Sequence, residues 1–178
     1  MRLVHQLSYS YSKIQSFYIH EYEQGIWQLK QVFHAQRQEE LYAFLMEKKW
    51  VIDYAVLGLN GAFRNTFYVC CPSVVVMILP ISLWEFCERL CAIMQKETYL
   101  EVAISQEEEC TEIVLHERIY MFLHDFYQIK SKEDAVAYYE KWQLENTVSD
   151  KLVQHFVRTV EYFKEEIFNY FLLREIVP

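Results

Sequence analysis

The chain has 178 residues, a formal net charge of −8, 53% hydrophobic and 17% aromatic residues, and only three glycines and three prolines. That supply of apolar side chains is enough for a buried core and excludes the disordered class. The acidic balance disfavours broad phosphate-backbone binding, which needs clustered Lys and Arg; the longest basic runs here are pairs such as Lys48-Lys49, so a nucleic-acid partner is not expected and any such contact would be local.

The N-terminal "MRLVHQLSYSYS" has neither a long apolar stretch nor a small-residue cleavage site, so no secretory signal is expected. Residues 13–33 admit two readings. Ser12 and Gln15 suggest a capped helix whose face continues through Tyr18, Tyr22, Ile26, Leu29 and Phe33, and helix is the favoured expectation. A hairpin turning at Gln24-Gly25 is the alternative. Residues 34–49, with Leu41, Phe44 and Leu45 at helical spacing, read as a firmer helix.

Residues 65–84 carry no charge and raise the question of a membrane span. Pro72 and Pro80 interrupt the run, and Val74, Val75, Val76 and Ile78 are β-branched, so it reads as buried sheet. Asn60-Gly61 between two apolar runs is a hairpin signal, which predicts successive strands over 51–59, 63–71 and 73–80, the last buried on both faces. Ser82 with Glu85 then suggests a capping box, followed by a helix whose apolar face holds Leu83, Phe86, Cys87, Leu90, Cys91 and Met94.

Further strands are expected over 98–105 and 113–119, joined by a polar connection containing Glu107, Glu108 and Glu109. These three glutamates form the densest charge in the chain, and they are the candidate contact for a basic partner. Ser131 with Asp134 caps a helix running to about Asn146. A final helix is expected from about Ser149 to Leu173, with a core stripe of Leu152, Phe156, Phe163, Ile167 and Phe171 widened by Val153, Val157 and Val160.

The five cysteines are Cys70, Cys71, Cys87, Cys91 and Cys110. The i, i+4 pair Cys87/Cys91 lacks further ligands at zinc spacing, and Cys70-Cys71 on a strand would point to opposite faces. All five read as reduced thiols of a cytoplasmic protein, serving as core rather than metal ligands. Three glycines cannot build a phosphate loop, and no nucleophile elbow or zinc-protease motif is present. The neighbours His116-Glu117 and His124-Asp125 are not dyads by spacing, and read as surface or core-edge histidines.

Residues from about 118 to 171, especially "FYQIKSKEDAVAYYEKWQLE" and "HFVRTVEYFKEEIFNYF", resemble the helical segment late in the catalytic region of insertion-sequence DDE transposases. There a helix ending in a tryptophan precedes a longer one ending in an aromatic pair, and Trp142 and Tyr170-Phe171 match those places. The resemblance implies metal-binding aspartates and a catalytic glutamate. This chain reaches Pro178 without the Asn-Gly and glutamate of that pattern, and its aspartates are only Asp53, Asp125, Asp134 and Asp150. The resemblance therefore implies a remnant or accessory protein without transposition chemistry. If it bound DNA, Lys151, Arg158 and Lys164 would be the phosphate contacts.

Together these observations predict one α+β domain over 1–178, with a mixed or antiparallel sheet of about five strands packed with helices and a helical subregion over 129–178. They predict no catalytic residues, metal site, cofactor or membrane association. The expected function is a non-catalytic protein-binding module, such as a small acidic inhibitor, an antitoxin-like or a regulatory protein. Its expected partner has a basic surface, and its expected state is a monomer or weak homodimer.

Overall fold

Alternation of core-facing and outward side chains decides the first 35 residues. In the computed structural model, which describes residues 1–8, 14–101, 107–146 and 151–175, this region is three strands. They are β1 (Arg2–Ser8), β2 (Gln15–Glu23) and β3 (Ile26–Ala35). The favoured helix over 13–33 is thus corrected to a hairpin. Gln24 and Gly25 both take positive φ, 52° and 84°, as a two-residue turn matched to strand twist requires. Tertiary pairing decides the outcome. Phe17 and Ile19 alternate into the core, which a helix could not do with residues two apart.

The helix α1 (Gln38–Lys48) occupies most of the helix expected over 34–49, whose first two residues instead end β3, and it ends at Lys49 in the left-handed region, φ 50°. Next come β4 (Tyr54–Leu57), α2 (Gly61–Cys70) and β5 (Val75–Ile78). The expected strands over 51–59 and 73–80 survive in their centres, whereas the strand over 63–71 is corrected to helix. Asn60 is the reason. Its Oδ1 accepts hydrogen bonds from the backbone N–H of Ala62 at 3.0 Å and Phe63 at 3.2 Å, so the residue caps a helix instead of turning a hairpin. Phe63 and Phe67, one helical turn apart, are then buried together, and Phe63 meets Phe17 edge-on at 5.2 Å.

The fold is α+β, with a five-stranded mixed sheet of order β3-β2-β1-β4-β5. β1, β4 and β5 are parallel, and β2 runs antiparallel to both β1 and β3. One face carries Val4, Phe17, Ile19, Ala55, Leu57 and Val76 and forms a core with Leu41, Phe44, Phe63 and Phe67 of the two helices. Phe33 stacks on Phe44 at 4.1 Å, closing this core at the β3 side.

Helices make up the rest of the described chain: α3 (Pro80–Glu101), α4 (Glu107–Gln128), α5 (Lys132–Asn146), α6 (Lys151–Tyr162), α7 (Lys164–Phe168) and α8 (Tyr170–Leu173). α3 starts at Pro80, a residue suited to a first helical turn, and not at the expected capping box of Ser82 and Glu85. The expected strands over 98–105 and 113–119 are corrected: residues 98–101 end α3, residues 113–119 lie within α4, and residues 102–106 lie outside those described. Ser131 caps α5 as expected, its Oγ accepting from the Asp134 N–H at 3.1 Å. The single helix expected to Leu173 is broken at Phe163 and Asn169. Glu166, Ile167, Phe168 and Asn169 are four consecutive buried residues, which one straight helix face cannot provide. Residues 149 and 150 of that expectation lie outside those described.

The chain divides into two compact units, Met1–Leu79 joined by the segment from Leu172, and Pro80–Phe171. The second has an aromatic core. Phe122 stacks near Trp142 at 4.5 Å and Tyr138 at 5.5 Å, and Phe126 meets Phe168 at 5.4 Å. Leu83 and Cys87 of the predicted α3 stripe are buried, as are Leu152, Val153, Phe156 and Val160 of α6.

Candidate functional site at the carboxyl edge of the parallel strands

Ligands of open sheets with parallel strands bind outside the carboxyl ends of those strands, where the chain order reverses. In this sheet the reversal lies between β1 and β4: the chain leaves β1 toward β2 and β3, then crosses to β4 and β5. The side chains at that point are amides. Gln6, near the end of β1, is 8% exposed and sits on the helix-covered face opposite Phe17. Its Oε1 accepts from the Gly58 N–H at 3.2 Å, just beyond β4. Because that backbone group can only donate, Gln6 must present its oxygen there, and its Nε2 is left to donate to Gln15 Oε1 at 2.8 Å on β2. One side chain thus ties together the ends of three adjacent strands. Asn60 follows, its N–H donating to Gly58 O at 2.7 Å and its side chain committed to the α2 cap.

The chain's aspartates lie elsewhere. Asp53 is at the opposite, amino edge, where its Oδ2 accepts from the Arg2 N–H at 2.7 Å and its own N–H donates to Arg2 O at 3.0 Å. Asp134 belongs to the α5 cap, accepting from Ser131 Oγ at 2.7 Å. Asp150 lies outside the described residues. Asp125 and His124, neighbours on α4, meet at 3.1 Å, and both are more than half exposed and form a solvent-facing pair. Among the described residues no group of three His, Cys, Asp or Glu side chains converges as a metal site, and no helix is long and apolar enough to cross a membrane.

Cys70 and Cys71, expected on opposite faces of a strand, are instead the last residue of α2 and its C-cap. With Leu45, Trp50, Ile52 and Pro72 they line a cavity of about 290 Å³. Burial raises both thiols above their usual range, and burial raises the Cys87 thiol much further. All three are therefore poor nucleophiles at neutral pH.

Glu107, Glu108 and Glu109 form the first turn of α4 and not the loop expected of them; their side chains lie outside what the structure describes. Carboxylates in a first turn complement the positive end of the helix dipole, which explains why so acidic a run can be helical. The three share one helix end.

Sequence reasoning missed Gln6 and the histidine pair on the reverse face of the sheet. His5 is half-buried, its Nε2 has no hydrogen-bond partner, and burial, then the nearby His20, lowers its pKa. Strand pairing alone creates this pair, since Leu3 faces His20 and His5 faces Tyr18.

No known protein family, curated protein or solved structure matches this chain.

Proposed function

We propose that this chain is a non-catalytic binding module acting on a protein partner with a basic surface, in the manner of a small inhibitor, antitoxin-like or regulatory protein. The observation that carries the reading is Gln6. At the edge where such a sheet would take a ligand, a neutral amide spends its acceptor and a donor on Gly58 and Gln15. A group bound in this way supplies neither the charge to hold a divalent cation nor a basic site to take a proton. The net charge of −8 and the Glu107–Glu109 turn favour a basic partner by steering and by complementarity. The experiment is capture from the native host followed by affinity measurement with the triple substitution Glu107→Lys, Glu108→Lys, Glu109→Lys. A fall of at least about tenfold in affinity, with a weaker salt dependence, is the expected result. Unchanged affinity would move the contact elsewhere.

A second reading, a nucleic-acid-associated protein derived from a transposase, rests on the resemblance of residues 118–171 and on the exposed cations of α6. Of its three basic residues, Lys151 and Arg158 are exposed on α6. Lys164 is drawn to Glu161 at 3.5 Å and lies over the Tyr139 ring at 5.5 Å. Two cations beside Glu161 and Glu165 make a weak phosphate surface. A low-salt gel shift with short duplex DNA separates the readings: a shift at micromolar protein that disappears in physiological salt supports this one.

A further inference from the structure

Two adjacent thiols line the cavity at the end of α2, beside Leu45, Trp50, Ile52 and Pro72. The chain fixes their positions. The Cys71 N–H donates to Phe67 O at 2.8 Å and the Cys71 carbonyl accepts from the Val74 N–H at 2.9 Å, so this backbone is held on both sides. The Cys71 sulfur accepts from the Ile52 backbone N–H, which turns the side chain toward the segment before β4. Cys70 is the last residue of α2, one peptide away, and the two thiols are near enough that charge on Cys70 raises Cys71. They differ in access: Cys71 is 6% exposed, whereas Cys70 is only half-buried. The cavity volume is about 290 Å³. An engineered apolar cavity of roughly half that volume, about 150 Å³, is enough to hold benzene.

We propose that Cys70 and Cys71 form a dithiol site for trivalent organoarsenicals, with the organic substituent seated in the cavity. The surroundings select this class. A metal cation held by thiolates would place charge in the cavity, and burial raises both thiols, which opposes their ionisation. Zinc also needs four ligands, and among the described residues no third His, Cys, Asp or Glu joins the pair. Trivalent arsenic bonded to carbon needs only two sulfurs, keeps its third position for the substituent, and gives a neutral product. With an arsonous acid, R–As(OH)2, the more accessible Cys70 thiol displaces one hydroxide and the Cys71 thiol displaces the other. Two As–O bonds break and two As–S bonds form, each S–H proton leaves with a hydroxide as water, and arsenic stays trivalent, so no oxidant enters. The second step closes a ring within one chain, so effective concentration offsets the low reactivity of each raised thiol. An apolar R then leaves water for Leu45, Trp50 and Ile52. The site uses none of the residues assigned to the basic partner, so either can fail alone.

Phenylarsine oxide, which hydrates to such an acid, is the probe. The full chain receives one equivalent in excess 2-mercaptoethanol, a monothiol that strips single-sulfur adducts, and is read by intact mass and by titration of the remaining thiols. The expected result is one phenylarsenic group gained and two thiols lost per chain, reversed by a small dithiol. Peptide mapping of the natural chain should place the group on Cys70 and Cys71 without any substitution. Cys70→Ser and Cys71→Ser should each weaken retention about 100-fold, the scale of a lost second attachment. The double substitution Cys87→Ser, Cys91→Ser, at the other described thiol pair, should keep the adduct, with circular dichroism establishing that each variant is folded. Inorganic arsenite has no substituent to bury and separates the cavity from the bare sulfurs. The ratio of phenylarsine oxide to arsenite affinity should be at least about tenfold higher in the native chain than in the urea-unfolded chain. No retained adduct, an adduct mapped to Cys87, Cys91 or Cys110, full retention in either single variant, or equal ratios in the native and unfolded chains would overturn the proposal.

Discussion

The two compact units are built on different physics. The sheet unit is organised by strand pairing, and its decisive local contacts are single polar side chains: Gln6 across three strand ends, Asn60 at the α2 cap, Asp53 against the Arg2 backbone. The helical unit is organised by rings. Phe122 lies within ring-contact distance of Phe126, Tyr138, Tyr139, Trp142 and Phe156. The broken helices α6–α8 still bring Phe156, Phe168 and Phe171 to the ring cluster, whereas a buried backbone N–H held by one side chain is costly to leave without that partner. The contrast implies that volume changes should hurt the helical unit most and polar deletions the sheet unit most.

The largest expected effect is therefore Phe122→Ala, which removes a ring 3% exposed and leaves a cavity at the centre of the cluster. It should lower unfolding free energy by about 3–5 kcal/mol in denaturant titration. A loss near 1 kcal/mol would mean that the rings repack and that the cluster is looser than its contacts suggest. Next is Gln6→Leu, nearly the same shape without the amide. Leaving the Gly58 N–H and the Gln15 oxygen without this partner should cost about 1–3 kcal/mol. Asn60→Ala should cost about 1 kcal/mol through the lost cap, with Asn60→Asp close to neutral.

Much of this division was legible in the residues, and the failures have physical causes. α1, the Ser131 cap and the apolar stripe of α6 follow from helical spacing, and β5 from its β-branched run, because each signal is local and agrees with its surroundings. Asn60-Gly61 failed because asparagine serves equally as a hairpin residue and as a helix cap; the choice rests on where Phe63 and Phe67 are buried, which is tertiary information. The β2–β3 hairpin was ambiguous because Tyr18, Tyr22, Ile26 and Leu29 fit a helical face while strand pairing decides otherwise. Gln6 carried no signal at all: a glutamine in a strand becomes meaningful only once Gly58 and Gln15 are beside it. The acidic turn of Glu107–Glu109 was legible as charge and illegible as helix.

The smallest expected effect lies on the reverse face of the sheet. Burial and then His20 lower the His5 pKa in the folded chain, so the unfolded chain binds the proton more readily. Stability should be full above the ordinary histidine value of about 6.5 and decline as pH falls through it toward the lower folded value. Thermal midpoints between neutral and mildly acidic pH should drop less in His5→Gln than in the natural chain. Parallel curves for the two would remove His5 from the account.

The assignment of Gln6 as the tie across the carboxyl edge depends on its bond to the Gly58 N–H, and native-state hydrogen exchange at that amide measures it directly. Gln6 should hold that amide protected well beyond the rate of an open loop, and Gln6→Leu should release it at least tenfold while β4 amides keep their protection. A Gly58 amide that already exchanges at the open-chain rate in the natural protein would contradict the account, and would leave the edge free for a ligand.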